Sequence, residues 1–167
     1  MIALKINEIK DFMNKLLCSE RFDHFLLQEA SICTNITYHL EGSVHPDFYS
    51  KEDLTEQGLD GLSFIPFGLV RPQCFNLIKG KRTPSFFKFV FLLSPDNLAK
   101  TLAQTQSSFT ENDISAVFLN LKYQNAELIV TTGISYRIFA ADKTLEYEWD
   151  SLVKRFLKSN EISFEEL

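Results

Sequence analysis

The chain has 167 residues, the size of one ordinary domain and long enough to build a core without disulfide or metal staples. A hydrophobic share of 45% and a charged share of 23% exclude a disordered chain, and no run of about 18 apolar residues occurs that could form a membrane-spanning helix. With 17 basic and 22 acidic residues the net charge is −5, which disfavours tight binding to a nucleic-acid backbone.

"MIALKI" reads as a first strand. Lys5, Glu8, Lys10 and Asp11 interrupt the opening residues, so no secretory stretch is expected there. Asn7 is a candidate helix cap, and Ile9, Phe12, Met13, Leu16 and Leu17 follow at helical spacing. "FLLQEASIC" and "ITYHLEGSV" read as two strands joined by a turn at Thr34-Asn35. Ser50, with Asp53 three residues on, opens a short helix that Gly58 ends.

Residues 59–73, "LDGLSFIPFGLVRPQ", are apolar but broken by two glycines and two prolines. A long loop is expected here, covering the core or forming a lid, and Phe64, Ile65 and Phe67 favour the cover. "QCFNLI" and "SFFKFVFLL" read as strands flanking the basic segment "KGKRTP", which makes that segment a hairpin tip. In the second strand Phe87, Phe89, Phe91 and Leu93 share one face, and Phe86, Lys88, Val90 and Leu92 lie on the other. That strand reads as central and covered on both sides. The chain's 16 phenylalanines suit a thick aromatic core or a surface that a partner covers.

"SPDN" is a helix start, with Ser94 as cap and Pro95 in the first turn. "AVFLNLKYQNAELIVTTG" reads as a hairpin. A turn at Gln124-Asn125 would pair Leu121 with Leu128, Leu119 with Val130, and Lys122 with Glu127. A helix beginning at Asp142 or Thr144 carries the stripe Leu145, Trp149, Leu152, Val153, Phe156 and Leu157. Glu146, Glu148 and Asp150 fall on its solvated side. "EISFEEL" reads as a last edge strand. The order implies one α+β domain over residues 1–167, a mainly antiparallel sheet of about seven or eight strands with three main helices packed on it.

The chemistry is sparse. Cys18, Cys33 and Cys74 are odd in number and form no CxxC pair, which reads as reduced thiols in the cytoplasm. His24, His39, His45, Cys33 and Asp47 match no metal-site spacing. No GxSxG elbow or phosphate-binding loop occurs, so neither a cofactor nor a metal is expected. RNA recognition is disfavoured because the first strand lacks stacking aromatics.

The charge distribution is uneven. From Leu62 to Pro95 there is no acidic residue, while Arg71, Lys79, Lys81, Arg82 and Lys88 are basic. The rest of the chain then holds 12 basic against 22 acidic groups. Such an island steers anions locally. The leading expectation is a non-enzymatic binding module whose basic hairpin contacts an anionic ligand or an acidic protein surface. Charged tips also serve only to keep hairpins soluble, which is the plain alternative. A competing class is a small-molecule enzyme with a pocket under the 59–73 loop and His39, His45 or Asp47 as acid-base groups. A third is a homodimer that hides phenylalanine.

"RPQCFNLIKGKRTPSFFKFVFLL" and "TTGISYRIFAADKTLEYEWD" resemble a family of small bacterial proteins known only as a domain of unknown function. The resemblance rests on "FNLIKGKRTP" and "DKTLEYEWD" and implies no activity, cofactor or catalytic residue. It suggests that the basic segment, Asp142, Glu146, Trp149 and Asp150 belong to one recurring surface or packing unit.

Overall fold

The computed structural model describes residues 1–167. In chain order the elements are β1 (Ala3–Ile6), α1 (Ile9–Leu17), β2 (Leu26–Cys33), β3 (Thr37–Glu41), α2 (Lys51–Glu56), β4 (Ile65–Pro66), α3 (Phe67–Ile78), β5 (Phe86–Leu92), α4 (Pro95–Gln104), β6 (Ile114–Gln124), β7 (Glu127–Tyr136), α5 (Thr144–Ser159) and β8 (Phe164–Glu166). The strands form one antiparallel sheet in the order β3-β2-β5-β6-β7-β1-β8, and β4 continues the line of β3 along β2. This is the expected α+β class.

Side chains alternate across a strand, so the sheet has two distinct faces. One carries Leu27, Ala30, Ile32, Phe87, Phe89, Phe91, Leu119, Leu121, Leu128 and Val130, all buried. These join Phe12 and Leu16 of α1, Phe67 and Cys74 of α3, and Leu145, Trp149, Val153 and Leu157 of α5 in one cluster of 26 buried residues. Half-buried Leu98 and Leu102 seat α4 on it. Phenylalanines knit the layers together edge to face: Phe22 meets Phe12 at 5.5 Å and Phe156 at 5.2 Å, and Phe67 meets Phe91 at 4.9 Å.

The opposite face is largely open. Glu29, Lys122 and Glu127 stand exposed on it. Leu26, Val90 and Leu92 are the exceptions, buried outside the main cluster, with the loop around Gly58–Leu62 beside Leu26. β5 is therefore covered on both sides only over its second half.

The sheet's helix starts behave as the capping residues require: Ser50 Oγ accepts from the Asp53 amide and Ser94 Oγ from the Asn97 amide. Asn7 does not cap α1. Its amide nitrogen donates to Ser163 Oγ at 2.7 Å instead.

Two expectations need correction. "QCFNLI" is not a strand, and residues 67–73 are not loop; together they form α3, which carries Pro72 in its interior. Phe67, Val70, Cys74 and Leu77 recur at helical spacing and pack on the core, and that burial outweighs the local cost of a proline. The basic segment is consequently a helix-to-strand connection rather than a hairpin tip.

The β6–β7 turn sits at Asn125-Ala126, where both residues have positive φ (53° and 60°). Leu121 pairs with Val130, Lys122 with Ile129, and Gln124 with Glu127. The pairing is displaced from the expected one by an even number of residues, so every side chain keeps its face. Glu127, freed from Lys122, instead accepts from Lys5 Nζ on β1 at 2.6 Å.

Candidate functional site

The five basic residues of the acid-free stretch separate into two sets. Arg71 lies on α3 and grips Asp23 with two nitrogens, Nε to Oδ1 at 2.8 Å and a terminal nitrogen to Oδ2 at 3.1 Å. That hydrogen-bonded pairing holds its guanidinium still more firmly protonated than usual. Gly68 permits the approach, since a Cβ there would meet Asp23 Cβ at 2.9 Å. Arg71 thus clasps α3 to the turn between α1 and β2. Lys88, on the open face of β5, reaches Glu29 Oε1 at 3.1 Å. Both cations already face the protein's own carboxylates.

Lys79, Lys81 and Arg82 do not. None forms an ion pair, and all three are exposed. Lys79 follows α3, its amide closing on Phe75 O and its ammonium lying 5.7 Å from the Phe75 ring centre. Downstream, Pro84 is buried and the Ser85 amide donates to Cys33 O at 3.0 Å. The loop is anchored at both ends while its charged residues project outward. Because Cys33 pairs with Thr37, this cationic loop lies at the Thr37 end of β3.

β3 is a terminal strand of the sheet, and a groove runs beside it. Leu27, Leu40, Ile65 and Val70 line the apolar part, Gln73 borders it, and Val44, His45, Phe48 and Tyr49 close the other side, around about 390 Å³. The enzyme alternative places a pocket under the 59–73 loop; of that segment Ile65, Val70 and Gln73 line this groove, and both His39 and His45 border it. Their rings form no hydrogen bond with each other. Tyr38 and Leu40 pack on the core side, so alternation turns His39 to the open face, where its Nδ1 is 3.0 Å from Ser31 Oγ. The His45 side chain has no hydrogen-bond partner, and Asp47 is not among the lining residues.

A second cavity of about 310 Å³ opens between α4 and α5, bordered by His24, Lys100, Trp149 and Phe156. Burial lowers the His24 pKa, partly opposed by the neighbouring Asp23 carboxylate. No three His, Cys, Asp or Glu side chains gather in a metal-binding cluster.

The α5 segment corrects one further reading. Asp150 is not on a solvated face: it is 8% exposed and accepts from Thr132 Oγ1 at 2.5 Å. Thr132 Oγ1 in turn accepts from the Ile2 amide at 3.0 Å, and Trp149 Nε1 donates to Phe118 O at 2.9 Å. Asp142 stands at the helix entrance, its Oδ1 accepting from the Thr144 amide and hydroxyl, and those bonds lower its pKa. Trp149 and Asp150 are thus packing residues that tie α5 to β6 and β7.

A model of the family of unknown function DUF5721 matches residues 15–165. The chain belongs to the DUF5721 family. The match takes in α3, the cationic loop, the groove and α5 alike. No curated protein and no solved structure matches the chain. The DUF5721 assignment carries no activity, so the functional reading rests on the geometry of the site itself.

Proposed function

We propose that this protein is a non-enzymatic binding module of the cytoplasm and that Lys79, Lys81 and Arg82 meet an anionic partner. One observation carries the reading: the three cations project from an anchored loop with no carboxylate against them, at the Thr37 end of an open strand edge. A cluster of exposed, unpaired cations attracts anions locally even though the whole chain is acidic. Arg71 and Lys88 leave the proposed contact set because Asp23 and Glu29 occupy them. The three free thiols, Cys18, Cys33 and Cys74, suit a reducing compartment. The enzyme reading has less support, because an acid-base site needs converging groups, whereas His39 meets Ser31 on the open face and Asp47 does not line the groove.

The test uses a labelled oligoglutamate peptide and fluorescence anisotropy at low and high salt. Lys81→Glu with Arg82→Glu is expected to weaken binding and flatten its salt dependence. Arg71→Ala is expected to leave binding intact. An unchanged binding curve for the double reversal would reject the module reading.

A further inference from the structure

The edge of β3 has a definite hydrogen-bonding phase. The Gly42 amide donates to Gln28 O at 2.8 Å and the Thr34 amide to Ile36 O at 2.9 Å, so the even-numbered residues of this strand bond inward to β2. In an antiparallel ladder the alternate residues then point the other way. The amides and carbonyls of Thr37, His39 and Glu41 therefore face the free edge, and no backbone group of the protein bonds to them.

The two edges of the sheet are treated differently. β8 is three residues long and carries Glu165 and Glu166, a short acidic edge that resists pairing. β3 spans five residues, Thr37–Glu41, with no proline and no lysine. Nothing in its sequence blocks an added strand.

We infer that the occupant of this edge is a second copy of the same chain, its β3 running antiparallel about a two-fold axis at His39. This rests on the cationic-loop reading above and names the partner of that loop. The two-fold sets Thr37 against the partner's Glu41 and Tyr38 against the partner's Leu40, so outward amides meet outward carbonyls along the edge. On the core side, half-buried Tyr38 and Leu40 continue the apolar layer into the second copy. On the open face no like-charged carboxylates or lysines oppose each other.

Charge selects this occupant. The loop with Lys79, Lys81 and Arg82 lies at the Thr37 end of β3. At the other end stands Glu41, followed by Asp47 in the exposed Pro46–Phe48 turn and by Glu52 and Asp53 in α2. An antiparallel two-fold brings the cationic end of each copy to the acidic end of the other, twice. An isologous interface requires such self-complementarity. Phe48, 83% exposed, lies at the same acidic end and gains cover in the assembly.

Sedimentation velocity and light scattering in the micromolar range test the pairing. The wild-type chain is expected at twice its monomer mass. His39→Pro removes an outward amide that bonds nothing within the chain, so it should yield monomer with an unchanged circular dichroism spectrum. Lys81→Glu with Arg82→Glu should raise the dimer dissociation constant about tenfold or more. On a Cys18→Ser, Cys33→Ser background, His39→Cys should oxidise to a covalent dimer, whereas Lys122→Cys, on the same face but far from the edge, should not. A monomeric wild type, or a dimer indifferent to His39→Pro, overturns the strand pairing. If that monomer still binds oligoglutamate through Lys81 and Arg82, the loop reading stands alone. A dimer that needs β3 but ignores the charge reversal keeps the pairing and overturns the loop's part in it.

Discussion

Arg71 and Asp23 face each other across 48 residues of sequence as a bidentate pair, with side chains only 21% and 24% exposed. A charge-assisted pair at that depth contributes more than a surface ion pair, because solvent screens it less. Asp23→Ala removes both acceptors and leaves the guanidinium facing α3 and the turn unpaired. A loss of about 1.5–3 kcal/mol is expected from hydrogen bonds to a charged group, read as a lower urea midpoint. Arg71→Lys should recover only part of it, since an ammonium cannot span both oxygens. Equal stability of Asp23→Ala and wild type would remove the clasp from the account of α3.

Thr132 and Asp150 form the second buried polar link, joining β7 to α5. Thr132→Val keeps the volume but withdraws the hydroxyl from a carboxylate that is 8% exposed. A cost of about 1–3 kcal/mol is expected for leaving that acceptor without its donor. Asp150→Asn retains an acceptor oxygen and should cost less. The comparison is made by denaturant titration of both variants, and a Thr132→Val protein as stable as wild type would show the link to be idle.

How far these features could be read in advance depends on how local their causes are. The capping of α2 and α4 depends on residues three apart, and the α5 stripe on residues three and four apart, so both were legible. The faces of β6 and β7 followed from alternation, but their register did not: shifting the turn to Asn125-Ala126 preserves the faces, and Glu127 finds Lys5 on β1, 122 residues away. α3 escaped notice because Gly68 and Pro72 read as breakers, while the contacts that stabilise it come from Asp23 and the core. The cationic stretch was visible as composition. Which of its charges are free was not, because the carboxylates that occupy Arg71 and Lys88 lie 48 and 59 residues upstream.

His24 gives the fold a pH dependence of known sign. Partial desolvation of its ring against Phe25 and Phe156 lowers its pKa below the ordinary 6.5, with the Asp23 carboxylate opposing part of the shift. The unfolded chain then takes up a proton at higher pH than the folded one. Between the depressed folded value and 6.5 the unfolded state holds more protons, so this contribution falls as the pH drops through that window and is intact above it. His24→Gln should flatten the difference between urea midpoints measured at about pH 5.5 and about pH 8. An identical pH slope in the variant would assign the effect to other groups.

Thiol chemistry should separate the cysteines by burial. Cys74 is fully buried on α3 and its pKa is pushed up to about 12, whereas Cys18 is exposed. Since the thiolate is the reactive form, native alkylation should mark Cys18 and spare Cys74 until denaturant is added. Intact-protein and peptide mass spectrometry read the order. Labelling of Cys74 at the rate of Cys18 under native conditions would mean that α3 opens readily.

The β6–β7 turn holds a local strain that can be relieved. Two-residue hairpins with both central residues at positive φ favour Asn followed by Gly, because the second position penalises a Cβ. Asn125 suits its φ of 53°, but Ala126 holds a φ of 60° with a methyl group attached. Ala126→Gly removes that penalty, although the unfolded chain gains freedom and offsets part of the benefit. A net stabilisation of about 0.5–1 kcal/mol is expected, with the urea midpoint rising and its slope unchanged. Ala126→Val should move the midpoint the other way, since branching at Cβ deepens the clash. If glycine lowered the midpoint, the turn would have to sit elsewhere, and the β6–β7 register with Leu121 opposite Val130 would move with it.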